Sequence, residues 1–264
     1  ELSLRVHCNI AGDFLAEAAT LGLASGFGDD NLWLGHLKAF ADGAMGSGTA
    51  LMLEPYEGQP DNVGIAVTSP DEVWSLITGA ADAGFPISVH AIGDRAVREV
   101  LDVMTEWTAT RGANFRLPMP QRIEHVQVIH SADIGRPAAH GIVASVQPVH
   151  LQSDWRTADR VWGGRARYAY AFRSLLDRGT HLAFGSDAPV APLNPMLGIH
   201  AAVTRQDERH EPPGGWYPQE RLTVAEAIAG YTLGPARLSG KADRFGSIKP
   251  GMEADVIVVT SSLC

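Results

Sequence analysis

An α/β fold of parallel strands and helices, wound towards a (β/α)8 barrel of TIM type, is what this sequence predicts. Three observations carry that expectation. Short, nearly continuous apolar runs recur along the chain, helix-like stretches separate them, and polar residues sit where the runs end. The runs span residues 4–10, 34–41, 86–92, 122–126, 142–148 and 181–187. Runs without polar alternation read as strands covered on both faces, the pattern of a parallel sheet. Residues 71–83, which close on Gly84, read as a helix, as do residues 94–108 and 168–178.

Two architectures satisfy this alternation, an open doubly wound sheet and a barrel. No GxGxxG follows a strand and no GxxxxGK[ST] occurs, so the nucleotide-binding version lacks its fingerprint. Lys38, Asp42, His90, His125, Gln147 and Asp187 all fall within or just beyond the C-terminal ends of different runs. In a barrel that face carries the chemistry, which favours the barrel.

Near the end, Thr223 and Glu226 in "TVAE" form a capping box, because each side chain can satisfy the other's backbone N–H. The helix it starts is expected to stop at Gly234-Pro235. The "GSIKPGMEADVIVV" stretch beyond reads as a turn and then a strand, a small β element appended to residues 1–238 and occupying 239–264.

Composition narrows the function classes. With 264 residues, the chain can bury a sizeable core. The formal net charge of −9, with no basic stripe, argues against nucleic acid as a partner. No apolar run approaches the roughly 20 residues of a membrane span. Cys8 and Cys264 are far apart and form no CxxC, so no disulfide framework is expected and a cytoplasmic setting fits.

The strand-end residues make chemical sense together. The imidazoles of His90 and His125 and the carboxylate of Asp187 are good ligands for zinc or a similar divalent ion. The ammonium of Lys38 is not a ligand, but a lysine converted by carbon dioxide into a carbamate is one. Such an ion activates water and polarises a carbonyl, and Asp187 could move the proton from that water to a leaving nitrogen. Taken singly, each residue has a plainer reading. A lone strand histidine is a satisfied core group, and Lys38 snorkels or pairs with an acid. Asp42-Gly43 marks a turn, and Asp187 caps a loop. Asp42, Gln147, His150 and Trp155 follow strands in loops on the same face, which makes them substrate candidates, although Trp155 equally suits a hydrophobic edge. Arg122 and Glu124 flank His125, and strand alternation puts them outside the lumen as a structural ion pair.

The stretches "LKAFADGAMGSGTALMLEPY", "SVHAIGDRAV", "RIEHVQVI", "ASVQPVH", "AFGSDAPVAPLNPMLGIHAAVTR" and "GSIKPGMEADVIVV" together resemble the amidohydrolase superfamily. The nearest group is amidohydrolase 3, which includes N-substituted formamide deformylases. The resemblance runs over almost the whole chain. It implies a metal-dependent barrel flanked by a small β-sandwich. Lys38 then ends barrel strand four and is the carbamate, His90 ends strand five, and His125 ends strand six. Asp187 ends strand eight as metal ligand and general base. The last stretch is the returning sandwich segment.

Two departures qualify this. The family's early HxH pair is absent, and residues 4–10 correspond to strand three. The resemblance therefore implies an incomplete barrel of strands 3–8, the C-terminal part of a longer protein. Glycine also stands at Gly48, where the family commonly has an arginine, so the family's contact from that loop does not carry over by resemblance, and a glycine suits a flexible or left-handed turn.

Two open sheet edges are expected to seek partners, giving a homo-oligomer or strand exchange. The activity implied is hydrolysis of a C–N bond in a small amide, formamide or cyclic amide. The alternative is a catalytically silent barrel fragment or binding module.

Overall fold

The computed structural model describes residues 4–111 and 115–260. Six strands follow the predicted runs: β1 (Val6–Ala11), β2 (Leu32–Phe40), β3 (Ile87–Ala91), β4 (Arg122–His125), β5 (Val143–Val146) and β6 (Leu182–Phe184). They pair in sequence order, every pair parallel. The sheet curls into a half-barrel whose edges, among the described residues, are β1 and β6. The helices are α1 (Leu15–Thr20), α2 (Pro70–Asp82), α3 (Asp94–Thr110), α4 (Arg136–Ala139), α5 (Leu151–Trp162), α6 (Phe172–Asp177), α7 (Pro195–Thr204), α8 (Val224–Tyr231) and α9 (Leu233–Leu238).

Two faces of the sheet divide the labour. Leu37, Ala39, Ile87, Val89, Ala91, Ile123, Ala144 and Val146 are buried. All but Leu37 share the main core with Val73 and Ile77 of α2 and Val97, Val100 and Leu101 of α3, while Leu37 packs with Ala18, Ala80 and Phe85. The residues between them turn to the lumen. In register across the sheet, Lys38 aligns with Ser88 and Arg122, and Phe40 aligns with His90 and Glu124. Burying a core side chain of this kind is worth about 1.5–3 kcal/mol, so the apolar face fixes the register and thereby the lumen set. A one-residue slip would exchange the two faces.

The box read at Thr223 and Glu226 forms at the start of α8. A second box, which sequence reading missed, joins Ser69 and Glu72 at the start of α2, with Pro70 in its first turn. Three expectations need correction. The last helix does not end at Gly234-Pro235, because Thr232 breaks α8 and α9 restarts at Leu233. Pro235 falls in the first turn of α9, where its missing N–H is no loss. Gly234 is required there, since a Cβ would lie 2.2 Å from the carbonyl oxygen of Leu182. Helix α6 begins four residues later than expected, because Gly163–Tyr168 forms a 3-10 turn and Tyr170 takes φ +50°.

Residues 251–259 of the terminal stretch form no strand. A strand needs a neighbour to bond, and this stretch leaves Val256, Ile257 and Val258 exposed. Ion pairs of Arg5 with Asp255 and Glu253, and of Arg244 with Asp30 and Glu253, tie it beside the start of β1. Cys8 is a free thiol, and Cys264 lies outside the described residues. Among the described residues, no helix is long and apolar enough to cross a membrane.

Candidate active site

Above the C-terminal strand ends lies a cavity of about 1130 Å³. Its lining includes Lys38, His90, Glu124, His125, His150 and Asp187. Each is delivered by a different device. Lys38 and His90 point in by ordinary strand alternation on β2 and β3.

His125 does not follow alternation. It closes β4 with φ +74°, and Val126 follows with φ +45°. This left-handed step breaks the two-residue period, so consecutive side chains reach one cavity. The expectation that Arg122 and Glu124 lie outside the lumen is therefore corrected. Arg122 shares the lumen layer of Lys38, and Glu124 lines the cavity. The pair does form an ion pair, at 2.7 Å, and Ser88 Oγ donates to Glu124 at 2.7 Å. Burial works to raise the Glu124 carboxyl, but the charges of Arg122 and Lys38 outweigh it and hold it below the usual carboxylate value.

His150 arrives on a 3-10 turn, Pro148–His150, just past β5. Asp187 sits three residues past β6 with φ +56° and stays exposed. The ligand atoms of His125, His150 and Asp187 lie within 4.8 Å of one another. His150 is only 8% exposed, and its Nε2 has no hydrogen-bond partner among the described residues. The rings of His125 and His150 stack at 6.3 Å, and His90 meets His125 edge-on at 4.5 Å.

Hydrogen bonds decide which nitrogens are free. His90 Nε2 donates to the carbonyl of Gly43 at 2.8 Å, which leaves Nδ1 as its lone-pair nitrogen. His125 Nδ1 is 2.8 Å from Gln147 Oε1, while the Gln147 amide nitrogen donates to the Ser145 carbonyl. That orientation makes the oxygen the acceptor and frees His125 Nε2. Burial pushes both imidazoles down to about 4, so both are neutral at pH 7, the form that ligates metal. Lys38 Nζ is buried, 4.5 Å from the Phe40 ring centre, without a hydrogen-bond partner among the described residues. Burial, helped by Arg122, pushes it down to about 8 against the opposing pull of Glu124 and Asp187.

The four substrate candidates separate. Gln147 and His150 line the cavity, Gln147 as the support of His125. Asp42 does not line it. The Asp42 carboxylate is buried and accepts the N–H groups of Ile92 at 3.0 Å, Gly93 at 2.8 Å and Leu51 at 2.9 Å. It ties the end of β2 to the start of α3, and Gly93 is needed there because a Cβ would lie 1.9 Å from Leu51 oxygen. Trp155 also lies off the cavity lining, packed on the main core with the Arg156 guanidinium 4.0 Å over its ring. Sequence reasoning missed Gln127 and Asp154. Both line the cavity, two residues past His125 and one helical turn past His150.

The donors fit a divalent ion: neutral imidazoles, a carboxylate, and one buried imidazole nitrogen without a partner. Comparisons with known proteins agree with that chemistry. The chain is 35% identical over 88% of its length to LONG AFTER FAR-RED 3 of Arabidopsis thaliana, covering 39% of that protein. It is 28% identical over 85% of its length to an N-substituted formamide deformylase of Arthrobacter pascens, covering 40% of it. An uncharacterized metal-dependent hydrolase from Pyrococcus furiosus superposes with a TM-score of 0.83 at 31% identity, over 96% of this chain and 50% of that one. The chain thus spans about two fifths to one half of the length of these relatives. The Amidohydrolase family model matches residues 1–263, and the chain belongs to that family.

Proposed function

We propose that this chain carries the metal-holding wall of a hydrolase that cleaves a C–N bond in a small amide, formamide or cyclic amide. The observation that carries the reading is the convergence of His125, His150 and Asp187 at one mouth of the half-barrel. These three residues would hold the ion, with His90 and Lys38 as neighbouring donors. Zinc suits this set of nitrogen and oxygen donors. When bound, such an ion polarises a carbonyl and brings a water's pKa towards about 7.

The chain's own groups supply the rest. Gln147 fixes the His125 tautomer. Asp187, exposed to the cavity, takes the proton of the attacking water and returns it to the departing nitrogen. Because burial brings Lys38 near neutrality, a larger fraction of free amine is available to add carbon dioxide and release a proton, giving a carbamate. Two sheet edges unpaired among the described residues, with exposed Leu4, Phe14, Leu21 and Leu32, support self-association or strand exchange. A cytoplasmic setting suits the free thiol of Cys8. The second reading is a catalytically silent barrel fragment or binding module.

Zinc titration of the purified chain by calorimetry separates the two. The proposal expects one tight site, weakened about 100-fold or more in His125→Ala and in His150→Ala. Removing the outer support with Gln147→Leu should cost about 10–100-fold. Absent binding, or binding indifferent to all three changes, favours the silent module.

A further inference from the structure

The cavity wall holds a second polar feature that the proposed hydrolysis does not use. Asp154 lies in the first turn of α5 and lines the cavity. Its Oδ2 accepts from Tyr170 Oη at 2.6 Å and from Gln127 Nε2 at 3.4 Å, and its Oδ1 accepts from Ser153 Oγ at 2.9 Å. All three partners are neutral. The other lining carboxylates are accounted for differently. Glu124 pairs with Arg122, and Asp207 pairs with Arg156 at 3.2 Å. Asp187 belongs to the proposed ion site, and Glu208 sits exposed beside Arg209 on the rim. Asp154 is thus a carboxylate fixed in the wall by neutral donors, in no ion pair among the described residues.

Gln127 supplies the independent observation. It is 6% exposed and lines the same cavity. Its amide nitrogen must face Asp154, which can only accept, so its Oε1 faces elsewhere, and that buried oxygen has no hydrogen-bond partner among the described residues. A buried acceptor without a donor is costly unless a ligand satisfies it. The fully buried Tyr170 hydroxyl anchors the carboxylate from behind, so little reorganisation is needed on binding. Two acceptors, one of them charged, call for a charged donor.

We propose that Gln127 Oε1 and the Asp154 carboxylate form a subsite for a protonated amine on the substrate, beside the residues that would hold the ion. The subsite rests on the hydrolase reading for its place along the substrate, and it makes that substrate a C–N compound with a cationic amino tail. The ammonium hydrogens would complete the empty acceptor of Gln127 and neutralise Asp154, a charge-assisted contact stronger than a neutral one.

The test is a calorimetric comparison on the zinc-loaded chain. The probes are ω-amino alkanohydroxamic acids of three to six carbons, each against its methyl-ended counterpart. The expected result is an affinity at least about tenfold higher for one amino probe than for its counterpart. That ratio should fall to about one in Asp154→Asn and decline in Gln127→Leu, with thermal melts reporting that each variant is folded. Equal affinities for every wild-type pair overturn the subsite without any variant, as does a preference that survives Asp154→Asn. Should no hydroxamate bind, the metal reading fails, and pentylammonium against pentanol decides the subsite alone. Tighter pentylammonium binding that disappears in Asp154→Asn supports it, and equal binding rejects it.

Discussion

Replacing Asp187 by asparagine should lower the rate of the proposed hydrolysis by about 10²- to 10⁴-fold, the span of a lost acid–base group. The substitution keeps the shape of the side chain while removing both its proton-accepting carboxylate and the charge it would offer the ion. At φ +56° most residues would strain the backbone, but asparagine tolerates the left-handed region. Asp187 is exposed, so the exchange opens no void in the core. The amide still offers a carbonyl oxygen towards His125 and His150, but it cannot accept and return a proton. The loss should therefore appear in kcat, with the melting temperature unchanged within about 2 °C. Steady-state kinetics on N-substituted formamides and related small amides check it. Equal rates for the two proteins would remove Asp187 from the chemistry.

Replacing Asp42 by alanine should cost stability rather than catalysis. The carboxylate accepts the N–H groups of Ile92, Gly93 and Leu51, joining three segments, and among the described residues it is the only acceptor for Ile92 and Gly93. Alanine leaves those donors buried without partners, at about 1–3 kcal/mol each. The sum is on the order of 5 kcal/mol, against a total stability of about 5–15 kcal/mol for an ordinary domain. Urea denaturation should show a much lower midpoint, or a chain that no longer unfolds cooperatively. A loss below about 1 kcal/mol would mean that these amides find other partners. The loss also bears on the site, because His90 Nε2 rests on the carbonyl of Gly43, next in the chain to Asp42.

Much of this was legible in the residues. Apolar runs of five to eight residues, separated by helix-like stretches, read as strands in a sheet covered on both faces, and helices α2, α3 and α8 carry amphipathic or capping signals. Lys38, His90, His125 and Asp187 stand out because polar groups at the ends of such runs need a reason. What was not legible depends on backbone geometry that no residue type announces. Nothing in "RIEHVQ" says that His125 turns left-handed, and with strict alternation Glu124 and Arg122 fall on the wrong face. Asp42 looked like a ligand contact because its partners are amides, and amides are absent from a one-letter sequence. His150 and Asp154 enter through a 3-10 turn that rotates the start of α5 over the cavity. The final "ADVIVV" has strand composition, yet composition cannot supply the neighbour that a strand must bond.

Anomalous diffraction from crystals of the zinc-loaded chain, recorded on both sides of the zinc absorption edge, tests the central claim most directly. The account predicts a single strong peak at the mouth of the half-barrel, at bonding distance from His125 Nε2, from a His150 ring nitrogen and from a carboxylate oxygen of Asp187. Loaded crystals with no peak there, or with zinc bound only at surface histidines, would contradict it.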